Sequence, residues 1–266
     1  GKVPEYVIRL RAGETTPAPW VNILANEDFG TLVTEAGGGF TWSINSGENR
    51  ITPWTNDPVS DRPVEAIFLR DEETVAVWSV TPSPVGRDAD VEIRHGHGYT
   101  EWHRLSHGIA QEQWVCVAPN QPVKIVGLKL RNTTDRPRRL TATYYAEWLL
   151  GSLPSIARRH VTCRFDSADQ TILATSPWNV DFAGHAAFLT STWDAHSFTC
   201  DRQEFLGREA DLAKPAALQR WGLSNSEAIG VDACGAYQVH INLSPGDETE
   251  LSFVLGAARS EAEAIA

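Results

Sequence analysis

The sequence predicts an all-β protein built as a large two-sheet antiparallel sandwich. The main observation is a series of short runs in which apolar and polar residues alternate, the period of a strand with one buried face. Only turns separate these runs, and the crossover helices that parallel strands require are missing from the pattern. With 42% apolar residues among 266, the chain can bury a substantial core.

The strands are assigned in chain order from this alternation. Five runs are predicted first: residues 6–11, 65–70, 76–80, 90–96 and 108–118. Two longer runs, 122–132 and 138–150, flank the turn TTDRPR and predict a long antiparallel pair. A second pair is predicted from GAYQVHINLS and ETELSFVLGA, which are joined across SPGD at residues 244–247.

The last residues predict the start of a helix. Ser260 is followed by Glu263 in the spacing of a capping box, in which the serine accepts from the first-turn N–H groups and the glutamate reaches back. We therefore predict a β-domain at residues 1–258 and the beginning of a helical linker at 259–266.

Composition limits the classes of partner and of cellular location. The net charge of −11 disfavours nucleic acid and anionic membranes, which need a concentrated cationic surface. No apolar run of roughly 18 residues and no leader segment is present, which predicts a soluble piece. The chain contains no methionine and begins with Gly1, so we expect it to be part of a longer protein.

The four cysteines predict a reducing compartment, the cytoplasm. They lie far apart without a CxxC spacing, which disfavours a zinc knuckle and a secreted disulfide framework. They are Cys116, Cys163, Cys200 and Cys234.

Residues 39–70 form the most distinctive tract of the chain. Trp42 and Trp54 offer flat apolar faces within a turn-rich stretch. The same stretch carries the hydrogen-bonding groups that sugar hydroxyls require, namely Asn45, Asn49, Arg50, Asn56, Asp57 and Asp61. Polyhydroxylated ligands are the natural match, although burial in a wide core is the plainer use of any one of the ten tryptophans.

The other polar clusters do not predict a catalytic or metal site. Four histidines, His95, His97, His103 and His107, lie close together, but no third metal ligand has suitable spacing. The carboxylate pairs Asp57/Asp61 and Asp201/Glu204 are more typical of solvated turns than of glycoside cleavage. Asp201 is suited to cap a short helical turn. No nucleophile elbow is present, so we predict no catalytic residue.

Five segments together resemble a known family. They are APWVNILAN, NSGENRITPWTNDPVSD, RHGHGYT, SFTCDRQEFLGR and DACGAYQV, in this order. They resemble the amino-terminal β-domain of the glycoside phosphorylases that include the cellobiose and chitobiose enzymes. The second segment is most similar to the cyclic β-1,2-glucan synthase branch. The chain departs from the family pattern at Gly47, where an arginine is expected, and at Cys200, where a glycine is expected.

The resemblance implies a supersandwich related to galactose mutarotase, followed by a helical linker and an (α/α)6 barrel. In that family the barrel supplies the catalytic aspartate and binds the phosphate that inverts the anomeric centre. The implied domain is therefore inactive alone and needs no cofactor, with inorganic phosphate used only by the complete enzyme. The implied partners are a β-linked glucooligosaccharide, the barrel and a second copy in a homodimer. The synthase branch also allows a parent protein anchored in the inner membrane.

The predicted function is a non-catalytic, carbohydrate-associated domain that packs on the barrel and lines the sugar site. The candidate substrate-binding residues are Trp42, Arg50, Trp54, Asp57, Asp61, Tyr99, Thr100, Asp201 and Arg202. Two alternatives remain open. One is an independent carbohydrate-binding module with exposed, coplanar aromatic rings. The other is a mutarotase-like enzyme that uses His95 or His97 with a carboxylate in a pocket on the concave sheet face.

Overall fold

The structure, a computed structural model, describes residues 4–266, so the first three residues of the predicted domain 1–258 lie outside it. Seventeen strands in this range form three sheets, and every pairing between them is antiparallel. The all-β antiparallel prediction is confirmed. A small third sheet accompanies the two large ones.

The strands are numbered along the chain, and each sheet combines strands from distant parts of it. The nine-stranded sheet contains, in spatial order, β1 (Tyr6–Leu10), β7 (Val91–Gly96), β8 (Tyr99–Ser106), β9 (Ile109–Val117), β10 (Val123–Asn132), β17 (Glu248–Ala258), β14 (Ala186–Ser191), β13 (Thr171–Thr175) and β12 (Thr162–Asp166). The five-stranded sheet contains β15 (Ser197–Asp201), β16 (Ala233–Leu243), β11 (Arg138–Glu147), β5 (Glu65–Asp71) and β6 (Val77–Ser79). The small sheet contains β2 (Val21–Ala25), β3 (Phe29–Thr34) and β4 (Gly39–Ser43).

Helices are short and lie in the connections. The α-helices are α1 (Pro154–Ala157), α2 (Arg202–Leu206) and α3 (Glu261–Ile265), and the 3-10 helices are Arg158–His160, Val180–Phe182 and Ala216–Gln219. None of the helices within residues 4–266 combines the length and hydropathy needed to cross a bilayer.

The main core lies between the two large sheets and is rich in aromatic rings. Trp78, Trp102 and Trp148 are almost completely buried there. Two of them satisfy their indole N–H internally, since Trp78 donates to Gln111 Oε1 at 3.0 Å and Trp102 donates to Glu35 O at 2.7 Å. Burial in the core therefore accounts for these three tryptophans, as the plainer interpretation of the sequence expects.

Both predicted hairpins are wrong. β10 pairs with β9 and β17, whereas β11 pairs with β5 and β16, so each supposed partner lies in the opposite sheet. The two turns are arches that carry the chain from one sheet to the other. The physical reason is burial: inward apolar side chains of consecutive strands meet face to face across the core, which covers more apolar surface than edge pairing alone.

Asn132 joins the two arches. Its fully buried side-chain amide donates to the carbonyl oxygens of Arg136 at 2.8 Å, Leu243 at 3.2 Å and Ser244 at 3.1 Å. Its Oδ1 accepts from the Thr134 N–H at 3.0 Å and from the Thr134 hydroxyl at 2.6 Å. One side chain thus holds both crossovers in register.

The predicted helix at the end of the chain is confirmed. β17 ends at Ala258, and the Ser260 Oγ accepts from the Glu263 N–H at 3.2 Å. The Glu263 carboxylate reaches back one residue further than a standard capping box, to the Arg259 N–H at 2.8 Å.

Candidate functional site

Loops from four parts of the chain meet at one end of the sandwich, and we call this region the loop edge: residues 44–62, 150–160, 176–185 and 229–232. Arg50 and Gly151 exchange backbone hydrogen bonds of 3.2 and 3.1 Å. The Asn179 side chain donates to the Glu48 carbonyl at 2.9 Å. The distinctive tract of the sequence therefore lies beside loops that are distant along the chain.

Three of the predicted site residues come together around Phe40. The Trp54 ring stacks on Phe40 with centroids 4.9 Å apart and planes 11° apart, and the Trp42 ring lies 5.2 Å from Phe40. The Arg50 guanidinium carbon is 5.6 Å from the centre of the same ring. Both tryptophans and Arg50 are half-buried, so the group keeps an accessible side. We call these four residues the aromatic cluster.

Local backbone chemistry explains how the cluster is held. The Arg50 Nε donates to the Ser46 carbonyl at 2.9 Å, which directs the guanidinium back over the loop. The Trp42 ring lies against Gly30, where an added Cβ would come within 2.2 Å of the indole.

Phe40 is the member of the aromatic cluster that sequence reasoning missed. Its signal is the alternation of β4, which places residues 40 and 42 on one face.

Asn45 and Asn49, which the sequence suggested as sugar ligands, build the turn itself. The Asn45 Oδ1 accepts from the N–H groups of Gly47 at 2.8 Å and Glu48 at 3.0 Å. Asn49 is buried and donates to the Ser43 carbonyl at 3.1 Å. The hydrogen bonds of these amides therefore fix the conformation of the loop that carries Arg50.

Asp57 and Asp61 have separate roles in the same loop. Hydrogen bonds from the Ser60 hydroxyl and from the Val59 and Ser60 N–H groups lower the pKa of the exposed Asp57, which is a turn carboxylate as the sequence suggested. Asp61 is half-buried and accepts from the Thr34 hydroxyl at 2.6 Å. Burial raises its pKa despite that hydrogen bond. No hydrogen bond within residues 4–266 joins the two carboxylates.

Tyr99 and Thr100 lie where β8 meets β2 and β7, and they share no hydrogen-bond partner with Arg50. Thr100 is fully buried and is bonded to the Asn22 amide at 3.1 Å and to His95 Nδ1 at 3.0 Å. The Tyr99 hydroxyl donates to Glu5, and this hydrogen bond raises the pKa of Tyr99 to about 12. The hydrogen bonds of these two residues connect β8 to neighbouring segments, and neither residue contributes to the aromatic cluster.

The histidine cluster of the sequence separates in the structure. His95 is bonded to Thr100, and burial lowers its pKa, so the ring is neutral at pH 7. His103 lies beside Glu101 and Glu112, while the His107 ring stacks on Trp78 and contacts Asp88 at 3.0 Å. Within residues 4–266, no three metal-ligating side chains are grouped as a metal site.

Asp201 and Arg202 lie at the start of α2. The Asp201 carboxylate accepts from the N–H groups of Gln203 at 2.8 Å and Glu204 at 3.1 Å, which confirms the predicted helix cap. The Arg202 guanidinium bonds Asp232 at 3.0 Å and approaches Glu147 at 3.5 Å.

Replacing Asp201 with alanine should lower the free energy of unfolding by about 1 kcal/mol, the usual value of an N-cap. Two N–H groups at the start of α2 would lose their acceptor, and the helix anchors the buried Phe205 and Leu206. Urea unfolding measures the change. Asp135→Ala, at an exposed turn, is the matched control, and an equal effect of the two substitutions would contradict the capping role.

A buried polar cluster beneath the small sheet escaped sequence reasoning. Glu65 accepts from the hydroxyls of Thr41 at 2.7 Å, Thr52 at 2.8 Å and Tyr144 at 2.5 Å, and it pairs with the Lys124 ammonium. Burial raises the pKa of Glu65, but Lys124 and the hydroxyl donors outweigh burial and lower it overall. The sequence signal is a charged residue at an inward position of an apolar strand, as in PVKIVGL.

A known family of domains matches the chain over nearly its whole length. The model of the supersandwich domain of glycosyl hydrolase 94 matches residues 4–266. The chain belongs to the glycosyl hydrolase 94 supersandwich family. The resemblance to glycoside phosphorylases and to cyclic β-1,2-glucan synthase is thereby confirmed.

Curated relatives of this supersandwich domain are much longer than the chain. The cyclic β-(1,2)-glucan synthase NdvB of Rhizobium meliloti (strain 1021) is 39% identical over 258 residues, covering 96% of this chain but 9% of the relative. The N,N'-diacetylchitobiose phosphorylase of Vibrio furnissii is 30% identical over 269 residues, covering 98% of this chain and 33% of the relative.

Solved structures show the same fold at low identity. A galactose mutarotase related enzyme from Lactobacillus acidophilus superposes with a TM-score of 0.54 at 8% identity, covering 91% of this chain and 99% of that one. A galactose mutarotase-like protein from Lactobacillus casei ATCC 334 gives 0.51 at 9% identity, covering 90% and all of that chain. The supersandwich domain therefore has the mutarotase-like fold that the family resemblance implied.

Proposed function

We propose that this chain is the non-catalytic, carbohydrate-associated domain of a β-glucan-processing glycoside phosphorylase or cyclic β-1,2-glucan synthase. Its aromatic cluster lines the edge of a sugar site that a catalytic barrel completes. The observation that carries the proposal is the convergence of Trp42, Arg50 and Trp54 on one ring beside the loop edge.

The chemistry of this group suits a β-linked glucooligosaccharide. The indole of Trp54 has one face on Phe40 and is only half-buried, and we assign its accessible part to stacking on the apolar face of a pyranose. The planar guanidinium of Arg50 can donate to two adjacent hydroxyls. Asp57, whose pKa is lowered by hydrogen bonds within its turn, adds an exposed acceptor in the same loop.

The loop edge supports packing against the barrel. Its exposed apolar side chains are Ile44, Val59, Leu153, Ile156, Trp178, Val180, Ile229 and Val231. They form no row of parallel aromatic rings, which favours a docking surface over a binding platform. In this proposal residues 259–266 lead into the linker, and dimerisation brings the loop edge near a second sugar site.

The carboxylates of the candidate site support a non-catalytic role. Asp57, Asp61 and Asp201 each accept hydrogen bonds that hold a turn or a cap. Glycoside cleavage needs an acid placed across the sugar from a base or nucleophile. We assign that acid, and the bound phosphate, to the barrel.

The test is isothermal titration of the chain with β-1,2-, β-1,3- and β-1,4-linked glucooligosaccharides. We expect saturable binding to one linkage and at least about a tenfold loss in Trp54→Ala, by analogy with the stacking of a nucleic-acid base on an aromatic side chain, which is worth roughly 1–3 kcal/mol. Trp221→Ala, at an exposed tryptophan outside the loop edge, is the control. Binding that Trp54→Ala leaves unchanged would refute the assigned site.

The same titration tests the alternative that the chain is an independent carbohydrate-binding module. A module would bind tightly without the barrel, whereas a site edge would bind weakly and with one linkage preferred. Exposed aromatic pairs do occur elsewhere, as in the stacked Tyr6 and Trp20 rings, 5.0 Å apart. Binding lost in Trp20→Ala rather than Trp54→Ala would favour the module.

The geometry does not favour the mutarotase-like alternative. The cavity between the sheets has a volume of only about 50 Å³ and is lined by neither His95 nor His97. These two histidines line an open surface groove of about 600 Å³ near β1 and β2. The carboxylate in that groove, Glu5, accepts from the Tyr99 hydroxyl, and His95 is bonded to Thr100, so both groups of the supposed acid–base pair are already engaged in hydrogen bonds.

A further inference from the structure

Three arginines surround a single buried carboxylate at the loop edge. Glu147, at the end of β11, has a side chain only 1% exposed. Arg62 Nη2 lies 3.4 Å and Arg202 Nε lies 3.5 Å from its Oε2, and Arg158 contacts its Oε1. The three arginines come from a loop, a 3-10 helix and α2, so only the folded chain assembles them.

Positive charge exceeds negative charge around this carboxylate. Asp232 pairs with Arg202 at 3.0 Å, and Arg159 stands on the rim. Four guanidinium groups therefore face two carboxylates, an excess of two positive charges on a chain whose net charge is −11. Such a local reversal of sign concentrates anions from solution.

Hydrogen-bonding capacity is also left over. Within residues 4–266, the buried Nε atoms of Arg158 and Arg202 have no hydrogen-bond partner, and neither does the buried Oδ1 of Asp232, which lines the same space. Burial lowers the pKa of Arg158. The negative charge of Asp232 raises this pKa, whereas the positive charges of Arg202 and Arg62 lower it further. An additional anion would offset both effects.

The arginines border an open space of suitable size. A depression of about 430 Å³ is lined by Pro154, Ser155, Arg158, Arg159, Gly230, Val231 and Asp232. We call it the arginine depression. Arg62, with a side chain 40% exposed, stands beside it, whereas Arg202 is mostly enclosed.

We propose that the arginine depression is a binding site for a small oxyanion of the phosphate or carboxylate type. Arg158 and Arg159, which line the depression, hold the oxyanion directly, and Arg62 and Arg202 add positive charge nearby. A guanidinium presents two parallel N–H groups that match two oxygens of such an anion. The depression shares no lining residue with the aromatic cluster, but it lies within the loop edge, so its test uses this chain alone and its outcome is independent of sugar binding at Trp54.

Calorimetric titration in a low-salt chloride buffer at pH 7.5 tests the proposal with two probes, inorganic phosphate and sodium glucuronate. We expect saturable binding of at least one. Tighter binding of phosphate would identify the free ion as the source, and tighter binding of glucuronate would identify an acidic sugar. Arg158→Gln should weaken binding by about tenfold or more, the value of one charge-assisted hydrogen bond.

Arg159→Gln provides a second variant, because Arg159 lines the depression and is exposed, so its replacement leaves the buried Glu147 cluster intact. Arg139→Gln, at an exposed position on β11, is the matched control and should bind like the parent chain. The proposal is overturned if neither probe shows saturable binding, or if Arg158→Gln and Arg159→Gln both bind as tightly as Arg139→Gln.

Discussion

Replacing Lys124 with methionine is expected to lower the free energy of unfolding by about 3–5 kcal/mol, the usual cost of removing one partner of a buried ion pair. The Lys124 ammonium is buried and bonds both Glu65 and the Thr41 hydroxyl, the latter at 2.7 Å. Without it, Glu65 remains as a buried charge beneath the small sheet. Urea unfolding at pH 7 measures the loss.

The effect should depend on pH with a defined sign. In the parent chain the folded pKa of Glu65 lies below its ordinary value of 4.5, so its contribution is complete above that pH and is lost as pH falls through the folded pKa. In Lys124→Met the ammonium is gone and burial raises the pKa of Glu65. The deficit of the variant should therefore shrink as the pH is lowered toward 4.

Two controls separate this cost from general disruption of β10. Lys129→Met removes a partly exposed ion pair with Glu248 and should cost less than about 1 kcal/mol. The double substitution Lys124→Met with Glu65→Gln removes both charges and should recover much of the loss. If Lys124→Met costs no more than Lys129→Met, the buried pair does not stabilise the fold as described.

Asn132→Ala is expected to cost about 2–3 kcal/mol, because it leaves the buried Leu243 carbonyl and two part-buried carbonyls without their donor, at roughly 1–3 kcal/mol for a buried group. The carbonyls of Arg136, Leu243 and Ser244 would lose their shared donor. Both arches loosen together, so we also expect faster amide exchange at β10 and β16. Urea unfolding and hydrogen exchange measure the two effects.

Asn242→Ala is the matched control for this substitution. Asn242 lies on β16, is exposed, and is replaced by the same residue. We expect a change within about 0.5 kcal/mol, as for surface positions generally. Equal losses for the two asparagines would mean that Asn132 does not join the arches.

Alternation in the sequence predicted most of the strands, but some were hidden by polar residues that face inward. β8 is an example: Thr100 and Arg104 are buried, and Arg104 donates to the carbonyls of Ser79 at 2.8 Å and Gly86 at 2.6 Å. Hydropathy alone cannot show that an arginine will find such partners. Trp42, Arg50 and Trp54 of the aromatic cluster could be predicted because they lie close together in the chain, whereas Phe40, on which they converge, was missed.

The sequence by itself determined the fold class, the family, the helix caps at Asp201 and Ser260, and the tract that carries Arg50 and Trp54. These features depend on the alternation of apolar and polar residues and on hydrogen bonds between near neighbours in the chain, so they can be inferred from short stretches of sequence. Only the tertiary structure decided that β10 pairs with β17, that Glu65 meets Lys124, and that three arginines surround Glu147. Such contacts join residues that are far apart in the chain. The fold that buries the most apolar surface decides which of these residues meet, and this cannot be inferred from a local sequence pattern.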